Sequence, residues 1–420
     1  MKILVLNSGS SSQKTCLYEV AETPPDNPPA CLWEGKIEWL GDAATIEAKN
    51  SRGVVRRDEI RGSSRPQLLE RLLGTLWRGE VQVISSAHDI DVVGHRVVHG
   101  GPHCEEPTLI TPDVRSLIAG MSAFAPLHIQ AEVEGIETIG KLLSSTPQVA
   151  VFDTGFHRQM PLSAAVYPGP YEWFEAGIRR YGFHGINHQF CAKRVAQLLH
   201  TDLVNLKIVS CHLGNGCSLA AIREGRSIDT TMGFTPLDGL MMGSRSGSID
   251  PGILTYLMRQ GQFDSEELDK VLNQRSGLLG ISGISSDMRD ILAGIHDGNE
   301  RAKLAFDLYI HRLRAAIGGM VAVLGGIDAM IFTAGVGENS SDVRSAACST
   351  LEFSGLTLDT ARNAHPSPDE DISAADSKVR VFVIRAQEDW AIAAECWKLM
   401  RASSPMTTGE LRLREQQYSS

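Results

Sequence analysis

The chain has 420 residues, of which 42% are hydrophobic and 21% are charged. This composition is typical of a globular protein, and the length is typical of two domains rather than one. The formal net charge of −10 argues against the basic surface that nucleic-acid binding requires. The N-terminal apolar run covers only residues 3–6, too short for a signal peptide, and no apolar stretch is long enough to span a membrane. We therefore expect a cytoplasmic protein that binds neither nucleic acid nor membranes.

Short apolar segments alternate with longer amphipathic ones, a pattern that predicts an α/β fold. Apolar runs predict strands at residues 3–6, 16–20, 32–40, 92–98, 148–152, 208–211, 218–222, 330–333 and 380–384. Apolar residues at helical spacing predict helices at residues 67–77, 302–323 and 390–401. The proline-rich segment 23–29 predicts a surface loop, and the polar residues 403–420 predict a flexible tail.

Two segments share one plan and indicate an internal duplication. Residues 4–17 and residues 209–221 each combine an apolar strand, a turn of small residues with Gly and Asn, and a second strand. Each segment lies early in one half of the chain. We therefore expect a duplicated domain with one such hairpin in each copy.

Three glycine-containing segments could bind phosphate. Residues 7–14 (NSGSSSQK) combine backbone amides, four hydroxyl groups and the ammonium group of Lys14. Successive amides in a turn can form an anion-binding nest, although an ordinary serine-rich turn would have the same composition. Residues 212–216 (HLGNG) provide a second turn. Residues 335–339 (GVGEN) are expected to form a third turn, between a strand and a helix, where nucleotides commonly bind.

Several polar side chains could contact an anion. Arg96 lies among apolar residues of a predicted strand, Arg245 lies in a glycine-rich loop, and His184 lies between glycines in a cationic segment. A guanidinium group can bind a carboxylate or a phosphate through two hydrogen bonds, but a structural salt bridge is an equally good interpretation of each arginine. Asp153 lies in a DTG sequence without the second such sequence that an aspartic protease needs. We expect it to orient a substrate or a water-bound metal.

Other phosphate-handling and metal-binding motifs are missing from the sequence. It contains no GxxxxGK[ST] motif and no HRD or DFG set, which excludes a P-loop enzyme and a protein kinase. The GVGENS segment lacks the third glycine of a dinucleotide-binding turn. Eight cysteines without regular spacing predict reduced thiols rather than disulfides or a zinc site.

Nine motifs in this order resemble the acetokinase family, within the sugar kinase/Hsp70/actin superfamily. The resemblance extends from residue 1 to about residue 400. The motifs are NSGSSSQK, GHRVVHGG, APLH, VFDTGFH, RRYGFHG, CHLGNGCS, DTTMGFTPLDGLMMGSRSGSIDPG, SGLLGISGISSDMRD and FTAGVGENS.

The resemblance implies a duplicated actin-like (ribonuclease H-like) α/β fold with two domains and a central cleft. Residues 1–152, with a C-terminal helix at 389–402, would form one domain, and residues 153–388 would form the nucleotide-binding domain. The family resemblance also implies reversible, direct in-line transfer of a phosphoryl group from ATP to acetate, giving acetyl phosphate and ADP. Mg²⁺ or Mn²⁺ would be the metal, and the protein would be a homodimer.

The resemblance implies a role for each motif residue. The catalytic residues would be Asp153, His184, Arg245 and Arg96. Acetate would contact Arg96, Val98, Leu127, His128, Phe183 and Pro236. The nucleotide would contact Ser10, Ser12, Lys14, His212, Leu213, Gly214, Asn215, Gly216, Asp287, Met288, Arg289, Gly335, Val336, Gly337, Glu338 and Asn339. The metal ligands would be Asn7 and Glu388.

The sequence departs from the family pattern at Ile129, Gln130, Gly155 and Gln387, but it keeps the catalytic residue types. The sequence does not exclude propionate or butyrate as the phosphoryl acceptor, because one methylene group changes the free energy of binding by only about 1–3 kcal/mol. A nucleotide-binding scaffold without catalysis also stays open, as does a route through a phosphorylated Glu388.

Overall fold

The computed structural model describes residues 1–9, 12–25, 27–41, 43–123 and 126–403, which form two compact units. The first unit consists of Met1–Val97, Glu106–Phe152 and the chain from Asp389 onward. The second consists of Val98–Glu105 and Asp153–Glu388. Residues 98–105, which the sequence assigned to the first domain, therefore pack in the second unit. Ser10 and residues 404–420 lie outside the described residues.

The first unit is built on an eight-stranded mixed sheet. Its strands are β1 (Lys2–Ser8), β2 (Ser12–Glu19), β3 (Trp33–Leu40), β4 (Ala43–Asn50), β5 (Val55–Arg61), β6 (Val92–Val97), β7 (Thr108–Leu109) and β8 (Gln148–Phe152). Its first helices are α1 (Arg65–Gly74), α2 (Pro112–Gly120) and α3 (Pro126–Leu142). The strand order is β5-β4-β3-β2-β1-β6-β8-β7.

The core of the first unit lies on both faces of β1. Residues 3–6 are almost completely buried, as expected of a central strand covered on both sides. Helix α1 begins with a capping box between Ser64 and Gln67 and packs Leu68 and Leu72 into a cluster with Trp33. The helical stripe seen in the sequence is therefore the face that covers the sheet.

The second unit is built on a six-stranded mixed sheet. Its strands are β9 (Lys207–Leu213), β10 (Cys217–Arg223), β11 (Arg226–Thr230), β12 (Ala329–Thr333), β13 (Glu370–Asp371) and β14 (Arg380–Val383). Its helices are α4 (Leu162–Ala165), α5 (Tyr171–Glu175), α6 (Gly185–Leu198), α7 (Pro251–Arg259), α8 (Ser265–Gln274), α9 (Gly277–Ser282), α10 (Met288–His296), α11 (Glu300–Leu324), α12 (Ala334–Asn339), α13 (Ser341–Cys348) and α14 (Thr360–Ala364). The last helix, α15 (Glu388–Ser403), returns to the first unit from Asp389 onward.

The two sheets repeat one topology. In the first, β3-β2-β1 is an antiparallel meander, and β6 and β8 continue it in parallel with β1. In the second, β11-β10-β9 is the same meander, and β12 and β14 continue it in parallel with β9. Each sheet ends in a short antiparallel strand, β7 or β13. The duplicated actin-like α/β fold predicted from the sequence is confirmed.

All predicted strands and helices overlap elements of the structure, with ends shifted by a few residues. Helix α1 is one turn shorter at its C-terminal end than the predicted helix 67–77. The predictions missed β4, β5 and β11 and the two-residue strands β7 and β13. Among the described residues, no helix combines the length and the apolar composition that crossing a membrane requires.

Candidate functional site

The first hairpin predicted to bind phosphate is the turn between β1 and β2. Asn7 lies directly opposite Lys14 across the two strands, so their side chains project from the same face of the sheet. The amide of Gly9 donates to the carbonyl of Ser12 over 2.8 Å, which closes the turn. Lys14 is exposed, and the Nδ2 group of Asn7 donates to Oδ1 of Asp389 over 3.2 Å. An amide, an ammonium group and a carboxylate thus border this turn.

The second predicted hairpin is the turn between β9 and β10. Strand β9 ends with the two predicted residues His212 and Leu213. The amide of Gly214 donates to the carbonyl of Gly216 over 3.0 Å. The carbonyl of Asn215 accepts from the amide of Gly243 over 3.1 Å, and a Cβ atom at position 243 would lie 2.1 Å from Oδ1 of Asn215. The same Cβ atom would lie 2.9 Å from the carbonyl oxygen of Ser286, so glycine at position 243 lets the loop that carries Arg245 lie close to its neighbours.

His184 has a left-handed backbone conformation immediately before α6, with φ of 56°. This conformation costs a non-glycine residue about 1–3 kcal/mol and persists where the surroundings impose it, often at functional sites. The next residue, Gly185, donates its amide to the carbonyl of Asp153 over 2.8 Å, and a Cβ atom there would lie 2.2 Å from that oxygen. Close backbone packing therefore fixes the position from which the His184 ring projects.

The ring of His184 stacks on the ring of His212. Their centroids lie 3.9 Å apart and their planes are 9° from parallel. Nδ2 of Asn187 contacts Nδ1 of His212 over 2.8 Å and also donates to Oγ1 of Thr333 over 3.3 Å. Because an amide nitrogen only donates, Nδ1 of His212 is the acceptor, and these hydrogen bonds assign a neutral ring with its proton on Nε2.

Arg245 lies in a loop held by backbone contacts. Its carbonyl accepts from the amide of Met242 over 3.1 Å, and a Cβ atom at Gly277, the first residue of α9, would lie 2.2 Å from the carbonyl oxygen of Met242. The Nη1 group of Arg245 donates to the carbonyl of Pro236 over 3.3 Å. The direction of the guanidinium group is therefore set by a second loop segment.

His184 and Arg245 converge beside Gly216. A Cβ atom at position 216 would lie 3.4 Å from Nε2 of His184 and 3.6 Å from Nη1 of Arg245. Both nitrogen atoms can donate hydrogen bonds, and both lie at the turn that the sequence identified as a phosphate-binding candidate. An anion bound here could accept hydrogen bonds from the imidazole and from the guanidinium group.

The residues predicted to contact a methyl group differ in exposure. Val98 and Phe183 are buried, whereas Pro236 is half-buried. The ring of Phe183 meets the ring of His99 edge-on, with centroids 5.6 Å apart. Leu127 lies in α3, but its side chain is outside what the structure describes. Phe183 directly precedes His184, and the carbonyl of Pro236 accepts from Arg245, so two of these apolar groups adjoin the anion-binding candidates.

The third predicted phosphate-binding segment is not a turn, and this part of the sequence interpretation is wrong. Residues 335–339 belong to helix α12, which follows β12 without an intervening loop. Ala334 makes the change of direction with φ of 66°. A glycine turn was expected because of the two glycines, but the left-handed conformation falls on the alanine before them.

Glu338 and Arg344 stabilise this strand-to-helix junction. Oε1 of Glu338 accepts from the amide of Ala334 over 3.0 Å and from the amide of Ala386 over 2.9 Å. Burial raises the pKa of Glu338. Nη1 of Arg344 donates to the carbonyls of Gly337 and Glu338, each over 2.9 Å. In the structure the carboxylate of Glu338 supports the backbone, a contact that the sequence did not predict.

Asp287 and Arg289, both predicted to contact the nucleotide, form an ion pair with each other over 2.6 Å. Oδ1 of Asp287 also accepts from the amide of Arg289 over 2.8 Å and caps α10. The hydrogen bonds from Arg289 lower the pKa of Asp287. The Arg289 side chain is 89% exposed, so a ligand can reach the guanidinium group directly.

Four other predicted residues lie on separate elements. Arg96 is in β6, and His128 is in the first turn of α3. Asp153 directly follows β8 and is buried. Glu388 is the first residue of α15. Their roles stay predictions.

The predicted metal ligands supply oxygen donors. The amide oxygen of Asn7 and the carboxylate of Glu388 are groups that Mg²⁺ and Mn²⁺ prefer. Asp389 adds a carboxylate, whose Oδ1 accepts from Nδ2 of Asn7. Within the described ranges, no group of three or more His, Cys, Asp and Glu side chains could hold a metal by itself. Oxygen donors of this kind fit a magnesium ion that is bound mainly through phosphate groups, which is the usual mode for this metal.

The repeated sheets and their turn-bearing hairpins define the class of two-domain proteins with a duplicated actin-like fold. A sequence model of the Acetokinase family matches residues 2–394, and the chain belongs to this family. It is 56% identical over 406 residues to the acetate kinase of a Cyanothece species, covering 96% of this chain and 100% of that protein. It is 57% identical over 407 residues to the acetate kinase of Gloeobacter violaceus, with the same coverage.

Solved structures show the same likeness. The acetate kinase of Porphyromonas gingivalis matches with a TM-score of 0.87 and 38% identity, covering 95% of this chain and 99% of that one. A propionate kinase from Francisella tularensis matches with a TM-score of 0.85 and 36% identity, covering 94% of this chain and 98% of that one.

The sequence interpretation missed the residues that hold the site in place. Ser218 Oγ contacts Nδ1 of His184 over 2.9 Å, and Asn187 orients His212, but neither residue was predicted. No local signal in the sequence indicated them, because His184 lies outside α6 in a left-handed conformation and the four-residue spacing to His188 is not a helix-face spacing. Arg344 gave no signal, since its partners are backbone carbonyls and an asparagine.

Proposed function

We propose that the protein transfers the terminal phosphoryl group of ATP to the carboxylate of acetate, giving acetyl phosphate and ADP, and that it catalyses the reverse reaction. Phosphoryl transfer needs positioning and neutralisation of charge more than covalent chemistry. Two anions must approach each other, so fixed hydrogen-bond donors at the reacting oxygens are the main requirement. A carboxylic acid with a pKa below about 5 is already ionised at neutral pH, so the reaction needs no general base.

The convergence of His184 and Arg245 beside Gly216 carries this proposal. Both side chains are held in place within the second unit: His184 by the left-handed backbone before α6, and Arg245 by the carbonyl of Pro236. Two donors fixed around one small space suit an oxygen of the transferring phosphoryl group. An arginine that contacts this group can accelerate transfer by about 10³–10⁵.

The other roles in the proposal follow the family motifs. Arg96 would bind the acetate carboxylate, and Asp153 would orient Arg96 or the metal shell. Lys14, exposed on the first hairpin, would contact the phosphates of ATP. The segments 212–216, 287–289 and 335–339 would bind the rest of the nucleotide.

A divalent metal is part of the proposed reaction. Asn7 and Glu388 would hold Mg²⁺ or Mn²⁺ together with phosphate oxygens. When bound, the metal neutralises part of the phosphate charge. This chain's own residues supply the ligands and the hydrogen-bond donors.

The proposal also includes a homodimer in the cytoplasm, as the family resemblance suggested. Light scattering coupled to size-exclusion chromatography measures the mass of the particle. A mass close to that of one 45.6 kDa chain would contradict the dimer.

The decisive experiment is the formation of acyl hydroxamate from a short carboxylic acid, ATP, Mg²⁺ and hydroxylamine. We expect hydroxamate from acetate, and we expect Arg245→Ala and Arg96→Ala to reduce kcat strongly. Absence of product with all acids would favour a scaffold without catalysis. Phosphate trapped on Glu388 during turnover would replace the direct route by one through the enzyme.

Propionate is a second candidate acceptor, since a solved structure called a propionate kinase resembles this chain with a TM-score of 0.85. The buried side chains of Val98 and Phe183 favour the smaller acid. Measured kcat/KM values for acetate, propionate and butyrate decide which acid is the substrate. A maximum at propionate would mean that propionate, not acetate, is the preferred acceptor.

A further inference from the structure

A chain of four hydrogen-bonding groups lies behind the catalytic candidate His184. Nδ1 of His184 contacts Oγ of Ser218 over 2.9 Å, and the same Oγ contacts Nε2 of His188 over 2.8 Å. Nδ1 of His188 contacts Oγ of Ser210 over 2.8 Å. We call Ser210, His188 and Ser218 the histidine–serine relay. All three side chains are fully buried.

The relay joins three elements of the second unit. His188 lies in α6, Ser210 in β9 and Ser218 in β10. Burial, followed by the proximity of His157 and His212, lowers the pKa of His188 well below its ordinary value. At neutral pH His188 is therefore uncharged and carries a single N–H proton.

The proton count leaves two self-consistent arrangements. Ser218 has one hydroxyl proton and two imidazole nitrogens as partners, so it donates to one and accepts from the other. In the first arrangement Ser210 donates to His188, His188 donates to Ser218, and Ser218 donates to Nδ1 of His184. The proton of a neutral His184 then lies on Nε2. In the second arrangement every bond is reversed, and a neutral His184 presents a bare Nε2.

Only the first arrangement suits an anion when His184 is neutral. Nε2 of His184 is the atom nearest to the space beside Gly216, which it shares with Nη1 of Arg245. Phosphoryl oxygens accept hydrogen bonds, so a bare nitrogen there would repel them. The neighbouring His212 is fixed in the equivalent state, with Nδ1 accepting from Asn187 and its proton on Nε2.

We infer that the histidine–serine relay positions a proton for catalysis, by holding the proton of His184 on Nε2, where the transferring phosphoryl group would bind. Ser218 and His188 are then positioning residues, because they act on the ligand only through His184. The inference rests on the proposed phosphoryl transfer and specifies how one of its donors is prepared.

The test compares three variants in the hydroxamate assay with acetate, ATP and Mg²⁺. Ser218→Ala removes the hydrogen bond to His184, and Ser210→Ala removes the far end of the relay. We expect Ser218→Ala to lower kcat by about 10- to 100-fold, by analogy with the loss when a residue that orients a metal-binding histidine is removed. We expect a smaller loss for Ser210→Ala, unchanged KM for ATP in both variants, and recovery in Ser218→Thr, which restores the hydroxyl group.

Ser227→Ala is the matched control. Ser227 is also a fully buried serine of the same sheet, and its Oγ contacts Nδ1 of His157 over 2.7 Å. The other ring nitrogen of His157, Nε2, contacts the carbonyl of Phe183 over 3.1 Å, so both of its nitrogens have partners outside the relay. We expect normal kcat in this control. Equal losses in Ser227→Ala and Ser218→Ala would mean that packing, not the relay, is being measured, and would overturn the inference.

The tautomer of His184 gives an independent readout. In ¹⁵N spectra of histidine-labelled protein, assigned with His184→Gln, we expect the proton of His184 on Nε2 in the unchanged protein and a mixture of tautomers in Ser218→Ala. A proton on Nδ1 in the unchanged protein would overturn the relay, as would normal kcat in Ser218→Ala. If the unchanged protein forms no hydroxamate, the proposed function fails, while the spectra still decide on the relay.

Discussion

Replacing Gly216 with alanine tests whether the space beside His184 and Arg245 holds the transferring group. The backbone of Gly216 is outside the left-handed region, so alanine can adopt the same conformation. The added Cβ atom would lie 3.4 Å from Nε2 of His184 and 3.6 Å from Nη1 of Arg245, which are ordinary van der Waals distances. We therefore expect the variant to fold, with a free energy of unfolding equal to that of the unchanged protein or higher by about 0.4–1 kcal/mol.

The expected effect on catalysis is much larger. An oxygen that accepts hydrogen bonds from both nitrogens must lie about 2.7–3.1 Å from each. The added methyl group of alanine would lie next to this position and would push the oxygen away from it. A displacement of about 1 Å at the reacting group can cost about 10²-fold in rate. We expect a loss of this size in kcat for hydroxamate formation from acetate, measured together with the melting temperature.

Gly318→Ala is the control for the exchange of glycine for alanine. Gly318 lies inside α11, and a Cβ atom there would meet nothing within 4 Å. Alanine should stabilise this helix by about 0.8–1 kcal/mol and leave kcat unchanged. Normal kcat in Gly216→Ala would refute the assignment of the space beside Gly216 to the phosphoryl group.

Three further predictions concern stability and nucleotide binding. Arg344→Met should destabilise the second unit by about 1–3 kcal/mol or more, because it leaves buried oxygen acceptors of Gly337, Glu338 and Asn363 without their donor. Faster hydrogen exchange in residues 334–339 would show it, and unchanged exchange would contradict it. Burial lowers the pKa of His95 to about 4, so the free energy of unfolding should fall as the pH drops from about 6.5 towards 4. In urea unfolding, the free energy of unfolding of His95→Gln should fall by about 2 kcal/mol less between pH 7 and pH 5 than that of the unchanged protein. An identical fall in the two proteins would contradict this prediction. Lys14→Met should raise KM for ATP about 10-fold or more through a lost charged hydrogen bond. Lys36→Met is its control, since Lys36 lies opposite Lys14 on β3 and pairs with Glu38; equal effects in both would exclude a phosphate contact of Lys14.

The parts of the fold that the sequence predicted are those with buried strands. Residues 3–6 are apolar without interruption and residues 208–211 are apolar except for Ser210, because β1 and β9 are central strands covered on both faces. The missed strand β5 is polar and mostly exposed, as edge strands often are, so its sequence carries little strand signal. Strand β4 alternates buried and partly exposed residues, but its apolar positions include small alanines that weaken the pattern.

The site was predictable where a motif supplies the reacting group and unpredictable where distant residues support it. Arg245 and His184 were identified from glycine-rich segments, and the structure brings them together. Ser210 and Ser218 lie in strands that resemble any buried strand, so nothing local indicated that they face His188. Their hydrogen bonds depend on how α6 packs on β9 and β10, which no single segment encodes.

The glycines of the motifs bring the loops of this site into close contact. A Cβ atom at Gly185 would overlap the carbonyl of Asp153, one at Gly243 would overlap Asn215, and one at Gly277 would overlap the carbonyl of Met242. Gly185 and Gly277 thus set the distance between two backbone segments rather than the shape of one turn, and Gly243 does the same through the carbonyl of Ser286, 2.9 Å from its Cβ position. The positions of His184 and Arg245 are consequences of these close approaches, since both side chains project from the segments held together in this way. The glycine-rich motifs of the sequence therefore encode the spacing of the anion site, and the charged residues within them supply its chemistry.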